Sequence, residues 1–330
     1  MPLNQKARLL DPSGQLFVLK EEEEAVRADD ARKEPLAIRA NAGEDCVDIL
    51  FKSELPDSRE NAFLSKVNIH IYFAQFDIQG SDGVTTGFNY EQSVCPFATE
   101  GEALAAPAAA GATRVCVGRT ECFQLGILVG VGMDQDRTFE LKRVVEVVED
   151  ALGFDEPLHY SHAPGEVVST EFVRYRYYPD VQFGTAYFHD HVDALTSWKH
   201  GLFGALIVEP PGSTYHDPRT GVEVRSVPVA DIHTDAVVSA DVTGSFRELV
   251  LFIQDDNVIT RLGNSRGGSY NLRVEPLESR GRAPPEAFSS AAYGDPTVPL
   301  IEALTGDRVR LHIFVPSSEQ AHVFSLEGHC

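Results

Sequence analysis

Two histidines at a spacing of two residues carry the strongest chemical signal in the sequence. They are His189 and His191, in the segment 184–193. Residues two apart in a β-strand point to the same face, so the two imidazoles lie side by side. Neutral imidazole is a favoured ligand of copper, zinc and iron. The flanking residues are aromatic and apolar, which predicts burial, and buried imidazoles need partners. We interpret the two as metal ligands; the alternative is a purely structural pair.

The residues around these histidines resemble those of the multicopper oxidase family. In that family a His-x-His motif precedes a Gly-Leu-x-Gly-x-Leu-Ile-Val strand, and the segment 184–210 is similar to this pattern. The segments 76–83 and 87–91 are similar to the large bacterial branch, in which the first copper motif is followed by Phe-Asp and Ser-Asp-Gly. The resemblance covers most of residues 35–94 and 168–255, and residues 296–330 more loosely.

The resemblance implies a set of copper ligands at specific positions. His70 matches the first histidine of the first motif, a type 2 copper ligand, and Tyr72 stands at the second position of that motif. His189 and His191 match the second motif, whose members usually bind the type 3 copper pair. His322 falls on a type 1 copper position. His70, His189, His191 and His322 are therefore the expected metal ligands, and the histidines near 70 and 190 must meet between neighbouring strands.

Two of the family's four copper motifs are degenerate or missing. Ser325 and Glu327 stand where the third motif would have histidines of the cluster, and His329 follows one strand step later. The fourth motif, His-Cys-His, is not found, and Cys330 is the last residue. From this we expect either a degenerate domain or a fragment or split gene product that lacks further C-terminal cupredoxin domains.

The strand pattern predicts an all-β fold of cupredoxin-like Greek-key β-sandwiches, one complete with an inserted small β module and one truncated. Two similar blocks, 35–51 and 299–314, each lead to a strand that bears a histidine, which indicates an internal repeat. The fold name itself comes from the resemblance. The predicted divisions are a leader or edge strand at 1–34, a cupredoxin-like domain at 35–210 with an insert at about 95–170, a linker at 211–245 with a possible short strand at 227–232, and an incomplete second domain at 246–330.

Local patterns predict several individual strands. The segment 47–51 reads as a strand buried on both faces, and 247–255 as a strong strand. In the insert, the β-branched residues of 144–148 favour a strand. The charged residues of 138–152 also allow a helix, which is the competing interpretation; we favour a small inserted β-barrel.

Composition limits the partners. The chain has 330 residues and a formal net charge of -22, which argues against binding to nucleic acid. It contains no apolar run of eighteen residues, so no membrane span is expected. The segment 1–10 does not read as a signal peptide. Relatives of the resembled family are mostly exported, so the resemblance implies a secreted or periplasmic protein. Cys116 and Cys122 are read as free thiols, with a disulfide as the alternative.

The resemblance implies a copper-dependent oxidase that couples one-electron oxidation of a small molecule or metal ion to reduction of dioxygen. Asp77 and Asp82 are candidate proton relays, with turn and strand-end roles as the alternative. Asp190 and Asp193 are candidates to orient the histidines. His200 is read as a residue near the site without an exact match. The rival functions are a non-catalytic cupredoxin scaffold and a mononuclear metal site that uses His70, His189 and His191 alone.

Overall fold

A computed structural model shows that the chain is mostly β-strand. It describes residues 1–5, 7–28, 33–56, 66–84, 92–98, 101–135, 137–239, 242–260, 265–276, 280 and 289–328. Helices make up 8% of the described residues, and the helices there are all short. The expected all-β class is therefore confirmed. No helix in the described ranges combines the length and the apolar character needed to cross a membrane.

The strands and helices have the following bounds. The first strands are β1 (Pro2–Asn4), β2 (Leu9–Leu10), β3 (Leu36–Asn41), β4 (Val47–Phe51), β5 (His70–Ile71), β6 (Glu102–Ala103), β7 (Arg114–Cys116), β8 (Leu128–Val131), β9 (Glu140–Val148), β10 (Ala151–Phe154) and β11 (Val167–Ser169). They are followed by β12 (Val173–Tyr177), β13 (Gly184–His189), β14 (Phe203–Glu209), β15 (Thr214–His216), β16 (Val229–His233), β17 (Val237–Ser239), β18 (Val242–Thr243), β19 (Phe246–Ile259), β20 (Ser265–Tyr270) and β21 (Val309–Ser317). The α-helices are α1 (Glu23–Arg27), α2 (Ile78–Ser81), α3 (Ala194–Ser197) and α4 (Ser290–Tyr293).

The chain divides into two compact units. One, which we call the sandwich unit, consists of Met1–Val47, His70–Gln75 and Tyr177–Cys330. The other, the barrel unit, consists of Asp48–Ile69 and Phe76–Arg176. The sandwich unit thus combines segments that the sequence assigns to a leader, to two domains and to a linker.

The sandwich unit contains two sheets that share a core. The first has the order β3-β14-β13-β5, with β3 parallel to β14 and the other pairs antiparallel. The second has the order β15-β16-β19-β20, and β21 pairs in parallel with β19. Phe203 of the first sheet and Phe252 of the second meet with ring centroids 5.4 Å apart. Apolar residues from both sheets therefore face each other, which is how a β-sandwich buries its inner faces.

Part of the predicted linker belongs to this sandwich. β15 pairs with β16, and β16 pairs with β19, all antiparallel. Tyr215 and Ile232 are buried and pack with Phe246 in one apolar cluster. The strand expected at 227–232 lies here as β16, whereas β15 had no counterpart in the prediction. The N-terminal segment also joins the unit, because Leu3 and Leu9 pack with Ile259.

The barrel unit is built around a six-stranded antiparallel sheet with the order β6-β11-β8-β9-β10-β7. An antiparallel bridge between Leu104 and Val117 joins the two outer strands, so the sheet closes on itself. β9 and β10 settle the strand-or-helix question at 138–152 in favour of strands. The barrel encloses a core of Leu104, Ala108, Val115, Val117, Phe123, Val129, Val131, Val144, Leu152, Phe154, Leu158 and Val168.

The prediction for 47–51 was wrong in one respect. The segment is a strand, β4, but Asp48 and Leu50 are exposed rather than buried. Among the described strands, β4 pairs with β12 alone, in a two-stranded sheet. One side of the ribbon stays in solvent, where Asp48 forms ion pairs with Arg174 and Arg176 at 2.5 and 2.7 Å.

A cluster of buried charges joins the two sheets of the sandwich unit. Arg39 of β3 forms an ion pair with Glu248 of β19, and its Nη1 lies 3.9 Å from Glu209 of β14. All three side chains are fully buried. Arg310 reaches both carboxylates at 3.1 and 3.2 Å, and His312 Nε2 lies 2.6 Å from Glu248. Two carboxylates in a dry interior require these cations nearby.

A second buried charge cluster lies in the barrel unit around Glu140. Its carboxylate accepts the backbone N–H groups of His159 and Tyr160 at 2.8 and 3.1 Å, and lies 3.0 Å from both Lys142 Nζ and His162 Nε2. Burial acts to raise the pKa of Glu140, but these hydrogen bonds outweigh it and hold the pKa at about 2. No motif in the sequence indicates this role for His162.

Glu140→Gln is expected to destabilise the protein by roughly 3 kcal/mol at neutral pH, because buried Lys142 loses its anionic partner. A carboxyl group whose pKa is lowered in the folded state stabilises the protein at pH values above its ordinary pKa of 4.5. This stabilisation is lost as the pH falls towards the folded-state pKa of about 2. The difference in urea-unfolding free energy between wild type and variant should therefore become smaller as the pH is lowered from about 6 to about 3.

Glu146→Gln is the matched control, since Glu146 lies on the same strand but forms an exposed pair with Arg114. We expect no measurable change for it. Equal losses for the two variants would contradict the role given to Glu140.

Candidate metal centre

The antiparallel pairing of β5 and β13 brings together histidines that are far apart in sequence. His70 and His189 are direct cross-strand partners in this pair. Side chains at such positions lie on the same face with Cβ atoms about 5 Å apart. The imidazole centroids of His70 and His189 are 5.2 Å apart. The expected meeting of the two histidine segments therefore occurs within the sandwich unit.

His191 completes a group of three imidazoles. Its ring centroid lies 4.4 Å from that of His70 and 5.3 Å from that of His189. His70 and His191 each offer a ring nitrogen, and the two nitrogens lie within 4.8 Å of each other. Two imidazoles bound to one metal at about 2 Å per bond have centroids about 5 Å apart. The centroid spacing of the three rings lies near this range. The ring nitrogens that come within 4.8 Å of each other are those of His70 and His191, and His189 is not part of that group; a single ion shared by all three rings therefore requires the His189 nitrogen to move closer to the other two.

The hydrogen bonding of His189 defines which nitrogen is available. Its Nδ1 lies 2.7 Å from the carbonyl oxygen of Asp190, and a carbonyl only accepts, so Nδ1–H is the donor. Burial lowers the pKa of His189 to about 3, which keeps the ring neutral at neutral pH. Nε2 therefore carries a lone pair, and it is buried without a hydrogen-bond partner among the described residues. Such an atom is costly unless something accepts the lone pair, and a metal ion does so.

The turn after β13 holds His189 in this orientation. The Asp190 carbonyl also accepts a hydrogen bond from Trp198 Nε1 at 2.6 Å, and the Trp198 ring lies 4.3 Å from the His189 ring. The buried Asp190 carboxylate accepts from the Asp193 N–H and the Ser197 hydroxyl at 3.1 and 2.7 Å. Asp190 therefore orients the histidine through its main chain, while its side chain fixes the turn; Asp193 contributes an N–H to that turn.

Tyr72 lies beside the three histidines. Its ring centroid is 5.2 Å from that of His70 and 5.4 Å from that of His189. The Tyr72 N–H donates to the Tyr187 carbonyl at 2.9 Å, and the two tyrosine rings stack at 5.8 Å. The sequence identified Tyr72 as a departure from the resembled motif but did not indicate the support from Tyr187.

Among the described residues, His322, the fourth expected ligand, does not belong to a group of side chains that could bind a metal ion. Its Nε2 lies 2.9 Å from both an Asp255 carboxylate oxygen and the Ser318 hydroxyl, in an exposed segment. Ser325 and Glu327 are also exposed. His329, Cys330 and the segment 87–91 lie outside the described residues.

The other sequence candidates have defined structural partners. His200 Nδ1 lies 2.7 Å from buried Asp11, which ties the N-terminal segment to the loop before β14. Asp77 accepts the Gln79 N–H at the start of α2, which is the turn role considered for it. Asp77 and Asp82 belong to the barrel unit rather than the sandwich unit. Cys116 and Cys122 are free cysteines and form no disulfide.

The donor set fits one soft-to-borderline cation. Three neutral imidazoles suit copper, zinc, iron and nickel, and copper(II) binds such sites most tightly among the divalent ions. A trinuclear copper cluster needs more imidazoles than the three that the described residues bring together. No protein-family model matches the chain, and no curated protein matches it.

Proposed function

We propose that this chain is part of a copper-dependent oxidase of the multicopper type, in which His70, His189 and His191 bind copper. The buried His189 Nε2, with its lone pair directed by the hydrogen bond to Asp190 and no described partner, is the observation that carries the proposal. The cupredoxin-like Greek-key connection of the sandwich and the secreted or periplasmic location are parts of the same proposal.

The chemistry divides between the ion and the chain. Bound copper supplies one-electron oxidation and reduction, with dioxygen as the final acceptor and a small molecule or metal ion as the donor. The protein fixes the tautomer of His189 through Asp190 and holds its ring in place through Trp198. The burial of His70 and His189 limits access of water to the ligands. These are the tasks that a protein performs around a redox metal.

A mononuclear metal site is the second candidate function. It is favoured because the group has three imidazoles, fewer than a trinuclear cluster needs, and because Tyr72 stands where the resembled motif has a histidine. A site of this kind would bind one ion and, with zinc, would support hydrolysis rather than oxidation. A scaffold without metal is the remaining alternative.

A copper titration followed by a redox cycle tests the proposal. We expect metal-free protein to bind copper(II), to lose its electron paramagnetic resonance (EPR) signal on reduction by ascorbate, and to recover the signal in air. The same cycle in His216→Leu, a histidine that stacks on His233 outside the site, should match wild type. Failure to bind copper would favour the scaffold. Copper that is not reoxidised by dioxygen, or a preference for zinc, would favour the mononuclear site without oxidase function.

A further inference from the structure

We propose that Tyr72 is a fourth ligand of this site and binds the metal through its phenolate oxygen. This inference rests on one part of the proposed function, namely that a metal ion binds at the three histidines. Tyr72 follows directly after β5, two residues from His70, and its N–H still pairs with the carbonyl of Tyr187 in β13. Its ring contacts two of the three imidazoles, those of His70 and His189.

The ring distances suit coordination by oxygen. A phenolate bound at about 2 Å through a bent C–O–metal angle places its ring centroid roughly 5.5 Å from that of an imidazole on the same ion. The observed distances from Tyr72 are 5.2 Å to His70 and 5.4 Å to His189. Tyr72 is thus positioned relative to the histidines much as they are relative to one another.

Tyr187 acts as the support for Tyr72 and is not itself the ligand. Its hydroxyl donates to the Pro316 carbonyl at 3.2 Å, so that oxygen is already engaged away from the histidines. It accepts the Tyr72 N–H through its carbonyl and stacks on the Tyr72 ring with an interplanar angle of 23°. Tyr72 is therefore held at both its main chain and its ring, as pre-organised ligands are.

The exposure of the residues places Tyr72 on the open side of the site. Tyr72 is 44% exposed, whereas His189 is fully buried. On binding, the phenol O–H bond breaks, an oxygen–metal bond forms and the proton leaves to solvent, while the metal keeps its oxidation state. An anionic oxygen ligand favours copper(II) over copper(I), so Tyr72 would lower the reduction potential of the site.

The test uses the full chain loaded with copper(II). We expect a visible phenolate-to-copper charge-transfer absorption and tyrosinate vibrations in resonance Raman spectra. Tyr72→Phe should abolish both and weaken copper affinity about 10-fold. Tyr187→Phe, which keeps the supporting ring, and Tyr270→Phe, which removes a hydroxyl of matched 45% exposure elsewhere, should retain both. Thermal melts of the metal-free variants check that each is folded.

The outcomes separate this inference from the proposed function. An EPR signal of bound copper(II) without the charge-transfer band, or a band that persists in Tyr72→Phe, overturns the phenolate ligand while copper binding stands. If the charge-transfer band were lost only in Tyr187→Phe, the ligand would be Tyr187 and not Tyr72. Lack of any bound copper in a folded wild-type chain would refute both.

Discussion

His189→Leu is expected to weaken copper binding by at least about 100-fold, since even residues that only support a ligand change affinity by 10- to 100-fold. The same substitution should leave the metal-free protein as stable as wild type or about 1 kcal/mol more stable. Leucine removes the buried Nε2 that lacks a described partner. The Asp190 carbonyl, which loses the histidine donor, keeps its hydrogen bond from Trp198.

Isothermal titration with copper(II) and urea unfolding of the metal-free protein measure the two effects. His216→Leu is the matched control, because His216 belongs to the same unit but lies away from the three imidazoles. A gain in metal-free stability together with a loss of affinity is typical of a residue retained for function. If His189→Leu bound copper as tightly as wild type, His189 would not be a ligand. A metal-free variant that is much less stable than wild type would instead indicate the purely structural pair.

Arg39→Met is expected to destabilise the protein by about 3–5 kcal/mol, because it removes the fully buried cation that pairs with the ionised Glu248 carboxylate. Burial and the neighbouring Glu248 raise the pKa of Glu209 above its ordinary value. Burial also acts to raise the pKa of Glu248, but the hydrogen bond from His312 and the charge of Arg39 hold it below its ordinary value. Arg310 would then remain beside both carboxyl groups and His312 beside Glu248.

Urea unfolding at neutral pH measures this loss. Adding Glu248→Gln to Arg39→Met should recover part of it, with a coupling of about 1–3 kcal/mol between the two sites. Arg219→Met is the control, since Arg219 forms an exposed ion pair with Glu302, and we expect no measurable change. A wild-type unfolding free energy for Arg39→Met would show that this charge cluster does not hold the two sheets together.

The sequence predicted the histidines but not the contacts that make them a site. The spacing of His189 and His191 and the neighbourhood of His70 can be read locally from the sequence. Strand periodicity does not explain the position of His191, however, because β13 ends at His189. Their meeting depends on the register of β5 against β13, which hydrophobic pattern does not specify for a two-residue strand. The orientation of His189 by the Asp190 carbonyl involves the main chain, which carries no sequence signal.

For the fold, too, individual strands could be predicted from local sequence patterns, whereas features that depend on strand pairing could not. The strand at 36–41 follows from the alternation of Leu36 and Ile38, the strand predicted at 247–255 from its continuous apolar run, and β9 from its β-branched residues. β15 was missed because a three-residue edge strand is stabilised by its pairing with β16 rather than by its own composition. His322 was expected at a copper position from the resemblance to a family motif, whereas its partners in the described residues are Asp255 and Ser318.

Pulsed EPR of the copper(II)-loaded chain tests the central claim most directly, since it counts imidazole nitrogens on the ion. We expect three imidazoles in the wild type and two in each of the single variants His70→Leu, His189→Leu and His191→Leu. A spectrum with one imidazole or none, or a count that these substitutions leave unchanged, would contradict a copper centre built from His70, His189 and His191.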